Sequence, residues 1–193
     1  MIGTDVAVMQ PTWVPPNVKF EIDNAEDEWT WPESSFDLIH LRTMIGSIKD
    51  WDKLYRQALR CLKPGGWIEH HDNVVRFRCE NDSIADQSPL GQYHKVIWRA
   101  GEAMGQTFKI LEEDVQTRGM AAAGFVNLNV REMKAPWGSW PDRDDGKMRA
   151  IGECQKASFD QDPEGKVILF LSIWSLSNNW QATRRASSKI YLT

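Results

Sequence analysis

The sequence predicts an α/β domain whose strands are joined by crossover helices. Three observations lead there. Phe36-Asp37-Leu38-Ile39-His40-Leu41 is a short, mostly apolar run of the kind that forms a buried strand. From Asp52 onward the apolar residues recur at helical spacing, with Leu54, Ala58 and Leu62 on one face and Tyr55 and Leu59 alongside. Trp67-Ile68-Glu69 opens another strand beyond the Pro64-Gly65-Gly66 punctuation. Strand, helix, turn and strand in that order make a crossover unit.

The other elements follow along the chain. Met1 to Asp5 reads as the end of a strand closing on an acid. Pro11, Pro15 and Pro16 enforce an extended loop, because proline fixes φ and disfavours helix before it. Val18-Lys19-Phe20-Glu21-Ile22 alternates apolar and polar residues, a strand signal. The acidic stretch Asp23 to Glu28, then Trp29, Trp31 and Pro32, reads as a loop. Asp50 or Asp52 suits a helix N-cap, and Pro64 with Gly65-Gly66 is expected to stop that helix, with Lys63 solvated in the turn. Further helices are expected over Tyr93 to Met104, with Val96, Ile97, Ala100 and Met104 on one face, over Lys109 to Ala123, and over Arg149 to Phe159. Gly124 closes the second of these, and Phe125 to Val130 alternates like a strand. Trp137-Gly138-Ser139-Trp140-Pro141 reads as a turn.

Composition narrows the function classes. The 193 residues fit one domain. A net charge of -4 supplies no general basic field for nucleic acid. The longest apolar run, Val167 to Leu176, is far short of the ~20 residues that span a bilayer. Three widely spaced cysteines, Cys61, Cys79 and Cys154, argue against a disulfide framework or structural zinc site and for a reducing, intracellular setting. Ten tryptophans, several beside proline or acidic residues, suggest large apolar plugs in loops. His70 and His71 are adjacent in a strand, so their side chains point to opposite faces and do not readily share one metal ion with Asp72.

Three stretches together resemble one fold family. Phe36-Asp37-Leu38-Ile39-His40 resembles the fourth strand of Rossmann-like methyltransferases, Leu62-Lys63-Pro64-Gly65-Gly66-Trp67 the turn before their fifth, and Ala122-Ala123-Gly124-Phe125 the helix end before a late strand. Three more narrow it: Gln10 to Asn17, Asp27-Glu28-Trp29-Thr30-Trp31-Pro32 and Gly46-Ser47-Ile48-Lys49-Asp50-Trp51 resemble the fungal LaeA-like (TAM-domain) methyltransferases. The resemblance runs from about Ile2 to about Phe159. It implies a parallel sheet with helices on both faces, an antiparallel late strand, and methyl transfer from S-adenosylmethionine, often within fungal secondary metabolism.

It also implies a cofactor site. Asp5 stands where the family places the acid that binds the ribose hydroxyls, although a lone Asp before a loop also serves as a turn residue. Asn24 and Ala25, beside Asp23, stand where the family holds adenine through a side-chain acceptor and a backbone amide. A solvated acidic loop is an equal reading of that stretch. Arg42 follows the fourth strand, placed to meet the cofactor's carboxylate tail or a surface ion-pair partner. No catalytic base is assigned, since methyl transfer needs chiefly alignment.

Two departures from the family remain. The family places a strand, a Gly-x-Gly-x-Gly loop and a helix before the position of Met1, and no such loop occurs in this sequence. The expectation is therefore a methyltransferase sheet lacking its first strand and glycine-rich loop, with two unpaired edges and weak or no cofactor binding. After about Phe170 the match ends, giving a partial methyltransferase domain over residues 1–170 and a divergent tail over 171–193, an altered reading frame or a basic tail. The leading reading is an S-adenosylmethionine-dependent methyltransferase, cytoplasmic or nuclear, with no residue pattern choosing among protein, metabolite and lipid acceptors. The alternative is a non-catalytic methyltransferase-like fragment that pairs its exposed sheet edges with a protein partner. A third is another nucleotide-binding α/β protein.

Overall fold

The computed structural model describes residues 1–8, 13–79, 84–133, 135–140 and 145–161. In chain order the elements are β1 (Ile2–Asp5), β2 (Lys19–Ile22), β3 (Phe36–Arg42), α1 (Trp51–Cys61), β4 (Leu62–His71), α2 (Pro89–Met104), α3 (Val115–Ala123) and α4 (Gly146–Asp160). They fall into two compact units. Of the described residues, one comprises those within 1–94 and 105–128, the other those within 95–104 and 129–161.

Among the described residues the four strands lie in the first unit and pair in parallel, in keeping with the α/β reading. β1 pairs with β2, from Ile2 opposite Lys19 to Asp5 opposite Ile22. β3 pairs with β4, from Leu38 opposite Trp67 to Arg42 opposite His71. The expected single sheet is here two two-stranded sheets. Among the described residues no strand joins β1 to β3.

The β3–β4 sheet has a core face and an exposed face. Ile39, Leu41 and Ile68 face the core with α1, whose buried stripe is Trp51, Leu54, Tyr55, Ala58 and Cys61. α3 adds Val115 and Met120 to the same core. The opposite face, one pleat step away, carries Leu38 and Trp67 at 57% and 72% exposure.

α1 begins where expected: Asp50 is the N-cap, its carboxylate accepting the Lys53 N–H at 2.8 Å. Its end is a correction. The helix stops at Cys61, and Leu62 is already extended and paired with Phe36. Lys63 to Gly66 bulge out of β4, so that β4 advances five residues while β3 advances two. Gly65 takes φ +80°, and a Cβ on Gly66 would lie 3.1 Å from the Asp37 carbonyl oxygen. Lys63 is no mere turn residue, since its Nζ donates to Asp37 Oδ1 at 2.8 Å across the bulge.

The tryptophan loop is fastened to α1. Lys53 Nζ donates to the Glu26 carbonyl (2.7 Å). Gln57 Oε1 accepts the Trp29 N–H (2.7 Å), and its Nε2 donates to the Asp27 carbonyl (2.9 Å). Arg60 donates to the carbonyls of Trp29 (2.7 Å) and Trp31 (3.0 Å). These residues are spaced four and three apart, one helix face. Trp29 and Trp31 meet edge to face at 5.2 Å, and Trp31 meets Phe36 at 5.5 Å. Those two tryptophans are plugs, whereas Trp13 and Trp140 are exposed.

Three further expectations change. Residues 111–114 form turns, and α3 begins only at Val115, because Asp114 is left-handed (φ 48°). Phe125 to Val130 is not a strand, because Asn127 takes φ 56° and breaks the extended run. Gly124 closes α3 at φ 111° as expected. On α2, Ile97 and Ala100 are buried while Val96 is exposed. In the second unit, Gly138 N–H donates to the Gly152 carbonyl of α4 at 3.0 Å. Val167 to Leu176 and the expected tail over 171–193 lie outside the described residues. No helix among the described residues is long and apolar enough to cross a membrane.

Candidate functional site at the carboxyl ends of the strands

Because each pair of strands is parallel, the carboxyl ends within a pair gather at one edge. That is the edge where open α/β sheets bind ligands. Asp5 ends β1, Asp23 to Ala25 follow β2, Arg42 ends β3, and His71 and Asp72 close β4.

Asp5 and Asp23 are brought together. The Asp23 N–H donates to the Asp5 carbonyl at 3.1 Å, continuing the ladder past the strands. Asp5 is exposed, and its Oδ1 accepts the Ala7 N–H at 2.9 Å. The second loop is a sequence of short-range turns. Asp23 Oδ1 accepts the Asn24 N–H (2.9 Å), Asn24 Oδ1 accepts the Glu26 N–H (3.1 Å), and the Asn24 carbonyl accepts the Asp27 N–H (2.9 Å). Ala25 packs against the core, and its carbonyl accepts Trp29 Nε1–H at 3.1 Å. The acidic loop is also not merely solvated: Glu26 Oε1 accepts the Lys49 N–H at 2.6 Å.

Arg42 lies in the other sheet, exposed at the end of β3. The next residue, Thr43, takes φ 56°, an uncommon left-handed conformation for a β-branched side chain. Its N–H donates to the His71 carbonyl at 3.0 Å. Met44 N–H donates to Asp72 Oδ2 at 3.0 Å.

Behind that loop is a buried polar chain that sequence reasoning missed. Tyr55 Oη lies 2.8 Å from His70 Nδ1, and His70 Nε2 lies 3.0 Å from Asp72 Oδ2. The His70 and Asp72 side chains are 0% and 2% exposed. Burial pushes the Tyr55 hydroxyl well above its ordinary pKa, reinforced by the charges of Asp72 and Asp52, so Tyr55 stays a neutral donor. A carboxylate only accepts, so His70 Nε2 is the donor toward Asp72, and Nδ1 faces the Tyr55 hydroxyl. The Trp51 ring stacks on His70 at 5.1 Å. The one available signal was the alternation of β4, which turns His70 inward and His71 outward. Among the described residues no group of three or more His, Cys, Asp or Glu is arranged to hold a metal ion.

At these strand ends Asp5 presents an exposed carboxylate, the turn after β2 presents backbone and side-chain acceptors, and Arg42 presents an exposed guanidinium.

Comparisons with known proteins show the family. A family model described as a methyltransferase domain matches residues 1–130. Methyltransferase pytC of Aspergillus terreus is 33% identical over 162 residues, covering 82% of this chain and 48% of the relative. The secondary metabolism regulator LAE1 of Cochliobolus heterostrophus is 34% identical over 155 residues, 79% of this chain and 49% of the relative. The secondary metabolism regulator laeA of Aspergillus flavus is 26% identical over 193 residues, 98% of this chain and 50% of the relative. The chain thus spans about half the length of these relatives, which include the LaeA-like proteins its own motifs resemble.

Proposed function

The chain belongs to the methyltransferase-domain family, and from that premise we propose that it forms the nucleoside-binding part of an S-adenosylmethionine-dependent methyltransferase acting in fungal secondary metabolism. The observation that carries the reading is the junction of Asp5 with Asp23 at the carboxyl ends of paired parallel strands. When bound, S-adenosylmethionine supplies an electrophilic methyl group on a sulfonium, and the protein's task is to hold and align it.

In this reading Asp5 accepts hydrogen bonds from the ribose hydroxyls, using the oxygen that Ala7 does not engage together with its remaining lone pairs. Asn24 and the Ala25 backbone receive adenine. Asn24 Oδ1 already accepts the Glu26 N–H, so it offers adenine its second lone pair. Arg42 meets the carboxylate tail. The β1–β2 and β3–β4 sheets are then the flanks of one Rossmann-like sheet. A cytoplasmic or nuclear setting goes with this reading.

The test is an NMR titration of the chain with S-adenosylhomocysteine. Expected are saturable shifts confined to residues around Asp5 and Asp23 to Glu26, with a Kd on the order of 1 mM because no glycine loop contributes amides. Asp5→Ala should raise that Kd about tenfold, the loss of a charge-assisted pair of hydrogen bonds. Absence of shifts, or indifference to Asp5→Ala, overturns the ribose role. Micromolar affinity would show that another segment replaces the loop.

A second reading is favoured by the split into two-stranded sheets. It is a non-catalytic module that pairs its free strand edges with a protein partner. Concentration-dependent association in sedimentation, together with no S-adenosylhomocysteine shifts, would support it over the first.

A further inference from the structure

We propose that Asp72 is a positioning residue for the loop after β3, holding Arg42 to Met44 in the arrangement that receives the cofactor's carboxylate tail. The inference rests on the reading of Arg42 as the partner of that tail.

The carboxylate is itself immobilised. Oδ2 accepts from both Met44 N–H and His70 Nε2–H at 3.0 Å, and Oδ1 accepts the Asn73 N–H at 3.1 Å. His70 is held in turn by Tyr55 Oη and by stacking on Trp51, two residues four apart on α1. Asp72 therefore ties the loop after β3 to the helix behind it.

The loop shows why such a tie is needed. Thr43 sits at φ 56°, a conformation that persists only where the surroundings over-determine it. Two bonds flank it: Thr43 N–H to the His71 carbonyl and Met44 N–H to Asp72. Farther along, Gly46 takes φ +71° against Phe108, whose ring would lie 2.0 Å from any Cβ there. Arg42 immediately precedes this pinned turn, so its backbone direction is set by it.

A buried carboxylate is also a costly way to fasten a loop, since it demands that every oxygen find a donor. An apolar contact would hold the loop without that demand. What the carboxylate adds is direction: a single geometry at Met44 and Thr43, as a binding residue alongside requires.

The test uses two ligands. S-adenosylhomocysteine carries the amino-acid tail, and 5′-methylthioadenosine shares the nucleoside but lacks it. Asp72→Ala is expected to weaken S-adenosylhomocysteine about fivefold while leaving methylthioadenosine within about twofold. Asp72→Asn, which keeps one acceptor oxygen for Met44 and His70, should recover most of the loss. A merely structural role would weaken both ligands alike, and that outcome, or no loss for S-adenosylhomocysteine, overturns the proposal. Wild-type protein that binds neither ligand overturns the nucleoside reading, and the role of Asp72 with it, before any variant is compared. Should Asp72→Ala fail to fold, Tyr55→Phe keeps the ring and releases His70. It is expected to give the same selective loss, smaller in size, with faster hydrogen exchange at the Met44 amide; unchanged exchange and unchanged selectivity overturn the proposal equally.

Discussion

The two ends of the first unit are held together in opposite ways. At the ends of β1 and β2 the side-chain bonds of Asp5, Asp23 and Asn24 are exposed and local: Asp5 reaches Ala7, Asp23 reaches Asn24, and Asn24 reaches Glu26, each within two residues. Around α1 and β4 they are long-range and shielded. Gln57 reaches Trp29, Arg60 reaches Trp31, Tyr55 reaches His70 and Asp72 reaches Met44, across 15 to 29 residues. Local, solvated bonds reform easily after a ligand displaces them. Buried, long-range bonds leave a stranded donor or acceptor when broken. The first end is built to exchange partners and the second to keep them. Stability and nucleoside recognition should therefore respond to different residues.

The largest expected effect tests the keeping end. Leu54 is 1% exposed in the core between α1, α3 and β4. Leu54→Ala should lower unfolding free energy by about 2–5 kcal/mol, the range for an aliphatic deletion in a packed core. Chemical denaturation measures it. A loss under about 1 kcal/mol would mean that this core is loosely packed and that the comparison between the ends has no energetic content.

A smaller loss is expected at Gln57, where the keeping depends on hydrogen bonds. Gln57→Ala strands the Trp29 N–H and the Asp27 carbonyl. The expected cost is about 1–3 kcal/mol, that of buried groups left unsatisfied. Tryptophan fluorescence should shift to the red as the Trp29–Trp31 pair loosens. An unshifted spectrum with unchanged stability would show that aromatic packing alone holds the loop.

The sequence made the keeping end legible as elements but not as bonds. α1 was readable because its apolar residues repeat at helical spacing and Asp50 caps it. β3 and its parallel pairing with β4 followed from composition and order. The bulge did not, because Pro64-Gly65-Gly66 punctuates a bulged strand and a helix end alike. Phe125 to Val130 misled for a related reason: its alternation is genuine, but one left-handed Asn127 cancels it. The partners of Tyr55, His70 and Asp72 were invisible, since nothing local marks residues that meet only after the chain folds. Of the residues expected at the site, Asp5 and Asp23 to Ala25 gather at one loop pair, whereas Arg42 belongs to the second sheet.

The smallest expected effect sharpens what distinguishes the two ends. Lys63 and Asp37 form an ion pair at 2.8 Å within the β3–β4 sheet, so by location they belong to the keeping end. By exposure they do not, at 46% and 83%. If location decided, Lys63→Ala would destabilise the bulge. If burial decides, solvent screening leaves the pair worth about 0–1 kcal/mol, and the bulge survives on backbone pairing and on the left-handed Gly65. The expected outcome is a change within about 0.5 kcal/mol and no dependence on added salt. A loss above about 1 kcal/mol that fades at high salt would show that the bulge is held electrostatically. The line between the ends would then run along the strands rather than between surface and core.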